Sequence, residues 1–161
     1  MTKKSFQQLL DGGDDFELCD GVFVHIADRH GNELDIDKET ETERVVTLVW
    51  HSFGIIGNGG FQYLFEGDFN GDPGFILTAA ALRRIRCAEA AEAFEQALSL
   101  FHGNCPPSNI EDRLKIYQSI SETERERINR KFWDAGSELQ AKLAAFIRAN
   151  AQELQRAAAT Y

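Results

Sequence analysis

Thr40 and Glu43 stand three residues apart just ahead of Val45, Val46, Val49, Trp50 and Phe53. A hydroxyl at a helix N-cap accepts from the backbone N–H three residues on, while a carboxylate at that third position reaches back to the cap's own N–H, so the pair is a start signal. The apolar residues behind it recur at three- and four-residue intervals, the period of one helix face. Start signal and period point to the same element. Most of the chain reads the same way.

Upstream, Phe16, Cys19, Phe23 and Ile26 mark a buried stripe on a first helix that tolerates Gly21 and ends at Gly31-Asn32. Downstream, Gly57-Asn58-Gly59-Gly60 breaks the second helix, and Phe61 to Phe65 is expected to make a short aromatic turn. Asp72 before Pro73 reads as an N-cap with proline at the first helical position, opening a third helix with Phe75, Ile76, Ala79, Leu82 and Ile85. An Ala-rich fourth runs from Ala88 to Phe101, with Phe94, Leu98 and Phe101 inward, and Cys105-Pro106-Pro107 is a loop. Ile110, Leu114 and Tyr117 mark a fifth helix, while Ser121 and Glu124 cap a sixth with Ile128, Phe132 and Trp133. Leu139, Leu143, Phe146 and Ile147 mark a seventh, and the tail after Asn150 is expected to fray. With no strand alternation, repeat or long linker, residues 1–161 read as one compact all-α domain of about seven helices with a short aromatic NGGF turn. A chain of this length buries about 70% of its unfolded surface, enough for one core.

The net charge of −9 is unevenly spread: residues 1–72 hold 15 Asp and Glu against 5 Lys and Arg, residues 73–161 hold 11 against 12. Such a chain repels nucleic acid and anionic membrane and attracts basic partners. The cysteines Cys19, Cys87 and Cys105 are odd in number and form no CxxC pair, which fits reduced thiols in a cytoplasm. Asp11, Asp14 and Asp15 arrive before any apolar stretch long enough for a signal peptide, and runs such as Ala79 to Leu82 are too short to span a bilayer. The expected location is cytoplasmic.

Most of the excess charge lies in one row. From Glu33 to Glu43 every odd-numbered residue is acidic (Glu33, Asp35, Asp37, Glu39, Glu41, Glu43), and Lys38 is the one base among them. In extended backbone alternate side chains share a face at roughly 6.6 Å intervals, so Leu34 and Ile36 would anchor a link whose acids face water as a row of anions. Asp28, Glu66 and Asp68 thicken the field. Carboxylates at a helix start also favour its dipole, by about 0.3–1 kcal/mol each, and Glu39, Glu41 and Glu43 suit that role too.

Other motifs carry less chemistry. Asp68-Phe69-Asn70-Gly71-Asp72 has oxygen ligands at positions 1, 3 and 5 of a calcium loop, but Pro73 occupies the glycine position and Ala79 the bidentate glutamate position. His25 and His30 are five apart and do not share a helix face, and His51 and His102 lie on different segments. A pairing of Cys87 or Cys105 with His51 has no local signature, and Cys87 reads as a small core residue. Arg125, Arg127, Arg130 and Lys131 alternate with Glu122, Glu124 and Glu126 as a solvated helix face, while Arg83, Arg84 and Arg86 would suit the acidic half of a second copy in a homodimer. No cofactor, metal site or catalytic residue is expected.

Asn58-Gly59-Gly60-Phe61-Gln62-Tyr63-Leu64-Phe65, following an apolar helix, resembles the signature of the DNA mimic protein 19-like family of small bacterial helical domains. Asp68 to Asp72, Ala80-Ala81-Leu82, Ala97 to Phe101, Pro106-Pro107, Arg113 and Phe132-Trp133 extend the likeness over about residues 43–150, with the acidic N-terminal stretch, residues 1–42, outside it. The resemblance implies an all-helical fold, no known catalytic residues and, for the namesake, an acidic surface that imitates DNA and occupies a transcription regulator. Gly74-Phe75 departs from the pattern, and any mimicry must rest on residues 1–72.

The expectation is therefore a non-enzymatic acidic binding protein in which Asp28, Glu33, Asp35, Asp37, Glu39, Glu41, Glu43, Glu66 and Asp68 stand in for phosphates toward a basic DNA-binding regulator. Asn58, Gly59, Gly60 and Phe61 are structural. The alternatives are an immunity-type protein that neutralises a cationic toxin or nuclease and, from another class, a small enzyme or metal-binding protein.

Overall fold

Helix α3 (Glu41–Phe65) forms the axis of the molecule, with α2 (Asp15–Arg29), α4 (Ile76–Arg84), α6 (Ile110–Ser119), α7 (Glu122–Asp134), α8 (Gly136–Ala149) and α9 (Ala151–Ala159) packed along it. Helix α1 (Phe6–Asp11) leans on α2, and α5 (Ala88–Ser99) bridges α4 and α7. The computed structural model describes residues 4–32 and 34–159, and among them there are nine α-helices, two 3-10 turns (Ile36–Lys38 and His102–Asn104) and no strand.

Two of the nine helices lie where the sequence reading has none. Ser5 and Gln8 close a capping box at the head of α1. The segment after Asn150 does not fray but forms α9, because Leu154 inserts into the core. The α2 stripe is also displaced: Leu18, Cys19, Val22 and Ile26 are buried, whereas Phe16 is exposed and meets Trp50 edge-on.

The expected capping box at Thr40 and Glu43 is present, with Glu43 N–H donating to Thr40 Oγ1 (3.3 Å) and Thr40 N–H to Glu43 Oε2 (2.9 Å). At α7 Ser121 caps alone, because Glu124 turns to Arg127 instead. Helix α4 starts later than expected. Its N-cap is Phe75, and the Asp72 carboxylate serves from three residues upstream, accepting from Leu77 N–H (3.0 Å) and Thr78 N–H (2.9 Å). Phe75 adopts left-handed backbone (φ 58°), which costs a non-glycine residue about 1–2 kcal/mol. Edge-on packing against Phe65 and the Arg113 guanidinium over its ring hold it there.

The break in α3 falls in the glycine pair. Gly60 has φ 69° and ψ −169°, so the helical hydrogen-bond ladder stops and restarts there. Two side chains one turn apart on α7 satisfy the backbone groups this frees. Asn129 Oδ1 accepts from Phe61 N–H at 3.0 Å, and Trp133 Nε1 donates to the Ile56 carbonyl at 2.9 Å. A Cβ on Gly60 would lie 2.6 Å from the Asn129 side chain. Only glycine meets both the dihedral and the contact. Residues 61–65, expected as a turn, resume as helix, which aims Phe61 at Phe94 and Phe132, and Phe65 at Phe101 and Tyr117, the aromatic centre of the core.

Candidate acidic surface

The residues that connect α2 to α3 and those that connect α3 to α4 fold against each other. Ile36 is buried beneath the first connection, and Gly71, at φ 90°, passes so close that a Cβ there would lie 2.4 Å from Ile36 Cγ1. Phe69 of the second connection is buried edge-on against His51 of α3, which in turn stacks on Phe23 of α2. A cleft of about 300 Å³ runs between them, lined by Asn32, Leu34, His51, Asp68, Phe69 and Asn70.

Arg113 pins the second connection from below. It is fully buried, and its guanidinium donates to the carbonyls of Phe65 (2.8 Å), Gly67 (2.8 Å) and Pro107 (3.1 Å) and to Asp68 Oδ1 (3.1 Å). One arginine thus closes the C-terminus of α3 and fixes the loop that follows. Arginine suits this because its planar fork offers several donors at fixed angles. Asp68 is held at one oxygen while its side chain stays 63% exposed.

The acidic row does not form one face. Glu33 lies outside the described residues. Asp35 is half-buried, caps the 3-10 turn by accepting from Asp37 N–H (3.2 Å), and pairs with Lys38 (3.3 Å). Asp37 is exposed beside Gly71. Glu39 is buried, 5% exposed, in contact range of Thr47 and influenced by Arg29 and Arg44. Glu41 is exposed and pairs with Arg84 of α4. Glu43 is 1% exposed and pairs with Arg29 of α2.

The physical reason is local geometry. A row two residues apart needs extended backbone, but Ile36–Lys38 turns with three residues per repeat and α3 begins at Glu41. On an α-helix, residues two apart point roughly 200° away from each other, so Glu41 and Glu43 take opposite sides. The capping box then commits Glu43 to the interior. Both Glu39 and Glu43 are therefore removed from the surface assigned to them by the alternating pattern.

Of the remaining acids, Asp28 is exposed on the last turn of α2, and Glu66 is exposed and accepts from Gln62 (3.0 Å). The structure thus brings Asp35, Asp37 and Asp68, with Glu66 two residues before it, to the paired connections. Two of the three arginines expected to meet a second copy are engaged within the chain, Arg83 with Glu95 and Arg84 with Glu41.

The ionisable groups near this surface are shifted by burial. Loss of water pushes the Glu39 carboxyl up to about 7, against the pull of the Thr47 hydroxyl and of Arg29 and Arg44. His51 is pushed below the usual histidine value by burial, and His30 by burial together with the charges of Arg29 and Lys38. Among possible nucleophiles, the Cys19 thiol is driven up to about 12 by burial and by Asp15, which keeps it protonated and inert. Among the described residues no three His, Cys, Asp or Glu side chains converge as a metal ligand set, and no helix is long and apolar enough to cross a membrane.

A family model described as DMP19-like protein matches residues 37–150, a span that includes Gly60, Arg113 and Asn129. The chain belongs to the DMP19-like protein family. Residues that carry the family likeness thereby have physical work: the glycine pair turns α3, Trp133 of α7 holds the turn together with Asn129, and Arg113 fastens the loop beyond it. No curated protein and no solved structure matches the chain.

Sequence reasoning missed Arg29, Arg113 and His51 as organising residues. For Arg113 a signal was present. It falls three residues after Ile110 and four before Tyr117, on the apolar face of its own helix, where a charge must find buried partners. Nothing comparable marks Arg29, whose partner depends on how α2 and α3 cross.

Proposed function

We propose that the protein is an acidic binding protein of the DNA-mimic kind, which presents Asp35, Asp37, Glu66 and Asp68 to the basic face of a DNA-binding regulator. The observation that carries this reading is the meeting of the two connections around α3, where Asp37 of the first comes beside Gly71 of the second and Asp68 lines the cleft between them. Membership of the DMP19-like family supports it, as does a net charge of −9 concentrated in residues 1–72. Carboxylates on a framework fixed by Arg113, Ile36 and Phe69 keep their spacing without the partner's help, which lowers the ordering cost of binding. Glu39 and Glu43 act on these carboxylates from inside, by fixing the backbone that bears Asp35 and Asp37.

The test is to capture partners from cell extract with the native chain and with a doubly neutral variant, Asp37→Asn with Glu66→Gln, then to titrate the captured protein with salt. Both residues are exposed, so the fold should persist. The native chain is expected to retain one basic protein whose affinity falls steeply with salt, and the variant to bind it more weakly with a shallower salt dependence. An affinity that ignores both salt and substitution defeats the reading.

A further inference from the structure

Glu39 stands apart from the other described acids. Its carboxyl is enclosed where the first connection, α2 and α3 meet, yet Oε2 has no hydrogen-bond partner, and neither does Oγ1 of neighbouring Thr47. The charged groups around it are already engaged. Arg29 of α2 pairs with Glu43 of α3, and the Arg44 side chain of α3 donates to the backbone carbonyls of Ile36 (2.6 Å) and Asp37 (3.5 Å). In the connection itself, Asp35 pairs with Lys38. Leu154 and Ala158 of α9, which line the hollow beside the Arg29–Glu43 pair, add no charge; the histidines near that pair are His25 of α2, which lines the same hollow, and His30, whose Nε2 lies 3.4 Å from Arg29 Nη2. A neutral carboxylic acid is tolerated in such a place. A carboxylate there loses its water and faces an acid, Asp35, and the pull of the Thr47 hydroxyl and of two cations committed elsewhere, Arg29 and Arg44, does not make up the loss.

We propose that Glu39 is a pH-operated latch: protonated, it holds the connection 34–39 against α2 and α3, and ionised, it releases that connection and the surface acids Asp35 and Asp37 with it. The backbone has a reason to move as one piece. The 3-10 turn is short, Ile36 is its one buried anchor, and Glu39 follows the turn directly. Opening lets the carboxylate reach water, while α3 keeps its own start through Thr40 and Glu43. The latch concerns the protein alone and holds whatever the acidic surface binds.

The size of the effect follows from linkage. With the enclosed group titrating at about 7 and the released group at the ordinary 4.5, the equilibrium for opening grows about tenfold between pH 6 and pH 8. Hydrogen exchange read by mass spectrometry at those two pH values, expressed as protection relative to the unstructured rate, measures it directly. Amides of residues 34–39 of the native full-length chain are expected to lose about tenfold in protection, with those of α5 and α7 unchanged. In Glu39→Gln, which cannot ionise, protection of the same amides should be equal at both pH values. Protection that ignores pH in the native chain, or that falls equally in Glu39→Gln, overturns the proposal. Carboxyl carbon-13 titration of the native chain gives an answer that needs no substitution, since a Glu39 midpoint in the ordinary carboxylate range overturns the latch and one near neutrality supports it.

Discussion

Gly60 and Glu43 illustrate how single residues decide this structure. Gly60→Ala places a methyl group 2.6 Å from the Asn129 amide and forces a left-handed dihedral on alanine. We expect a loss of about 2–3 kcal/mol, read as a fall in the urea midpoint with unchanged slope. Gly57 lies two residues before the break with open space around its Cα, so Gly57→Ala should instead stabilise by about 0.5–1 kcal/mol. Asn129→Ala leaves the buried Phe61 N–H unpaired and should cost about 1–3 kcal/mol. The acids show what was legible at this scale and what was not. Thr40 and Glu43 announced their capping box because the interaction is local, and the motif that made Glu43 readable as a cap is what removes it from the surface. The burial of Glu39 has no such signature. It depends on where Arg29, on another helix, comes to rest.

At the scale of elements, the loop from Glu66 to Asp72 owes its shape to side chains far along the chain. Arg113→Met keeps much of the side-chain volume but abandons three carbonyls and Asp68, and should cost about 3 kcal/mol, with exchange protection lost first in residues 64–72. His51 supplies a pH dependence for the same loop. Burial lowers its folded value below the ordinary one, so the unfolded chain binds the proton more readily. The stability this interaction contributes is complete above about pH 6.5 and declines as the pH falls. His51→Phe should abolish that decline, which difference melting curves at pH 5 and pH 7 against the native chain will reveal. Glu39 works with the opposite sign, its contribution shrinking as the pH rises from 4.5 to about 7, so the variant comparison is what isolates each group. Helix positions and most boundaries were readable in the sequence because periodicity and caps are short-range. The late start of α4 was not, since a Phe75 held in left-handed backbone needs Phe65 and Arg113 in place before it is tolerable.

For the whole molecule, the charge is distributed as two unlike halves, and the ion pairs between helices draw on the second half's bases. Arg83 with Glu95 and Lys131 with Glu92 join helices of the second half, while Arg84, Arg113 and Arg148 reach back to Glu41, Asp68 and Asp15, leaving residues 1–72 with the rest of the excess. Association with a basic partner should therefore be steered by the first half alone. Stopped-flow on-rates are expected to fall when Asp37 and Glu66 are neutralised and to stay within error when Glu122 and Glu126 are. The repair of α3 has a consequence of a different kind. Phe61 and Ile56 rely on partners 68 and 77 positions further along the chain, so during synthesis the last turn of α3 must wait, unfinished, until α7 has cleared the ribosome. A nascent chain halted before Asn129 holds most of the aromatic cluster but leaves Phe61 without Phe132 and two backbone groups unpaired, and that interval, rather than the finished protein, is where this turn is most exposed to aggregation.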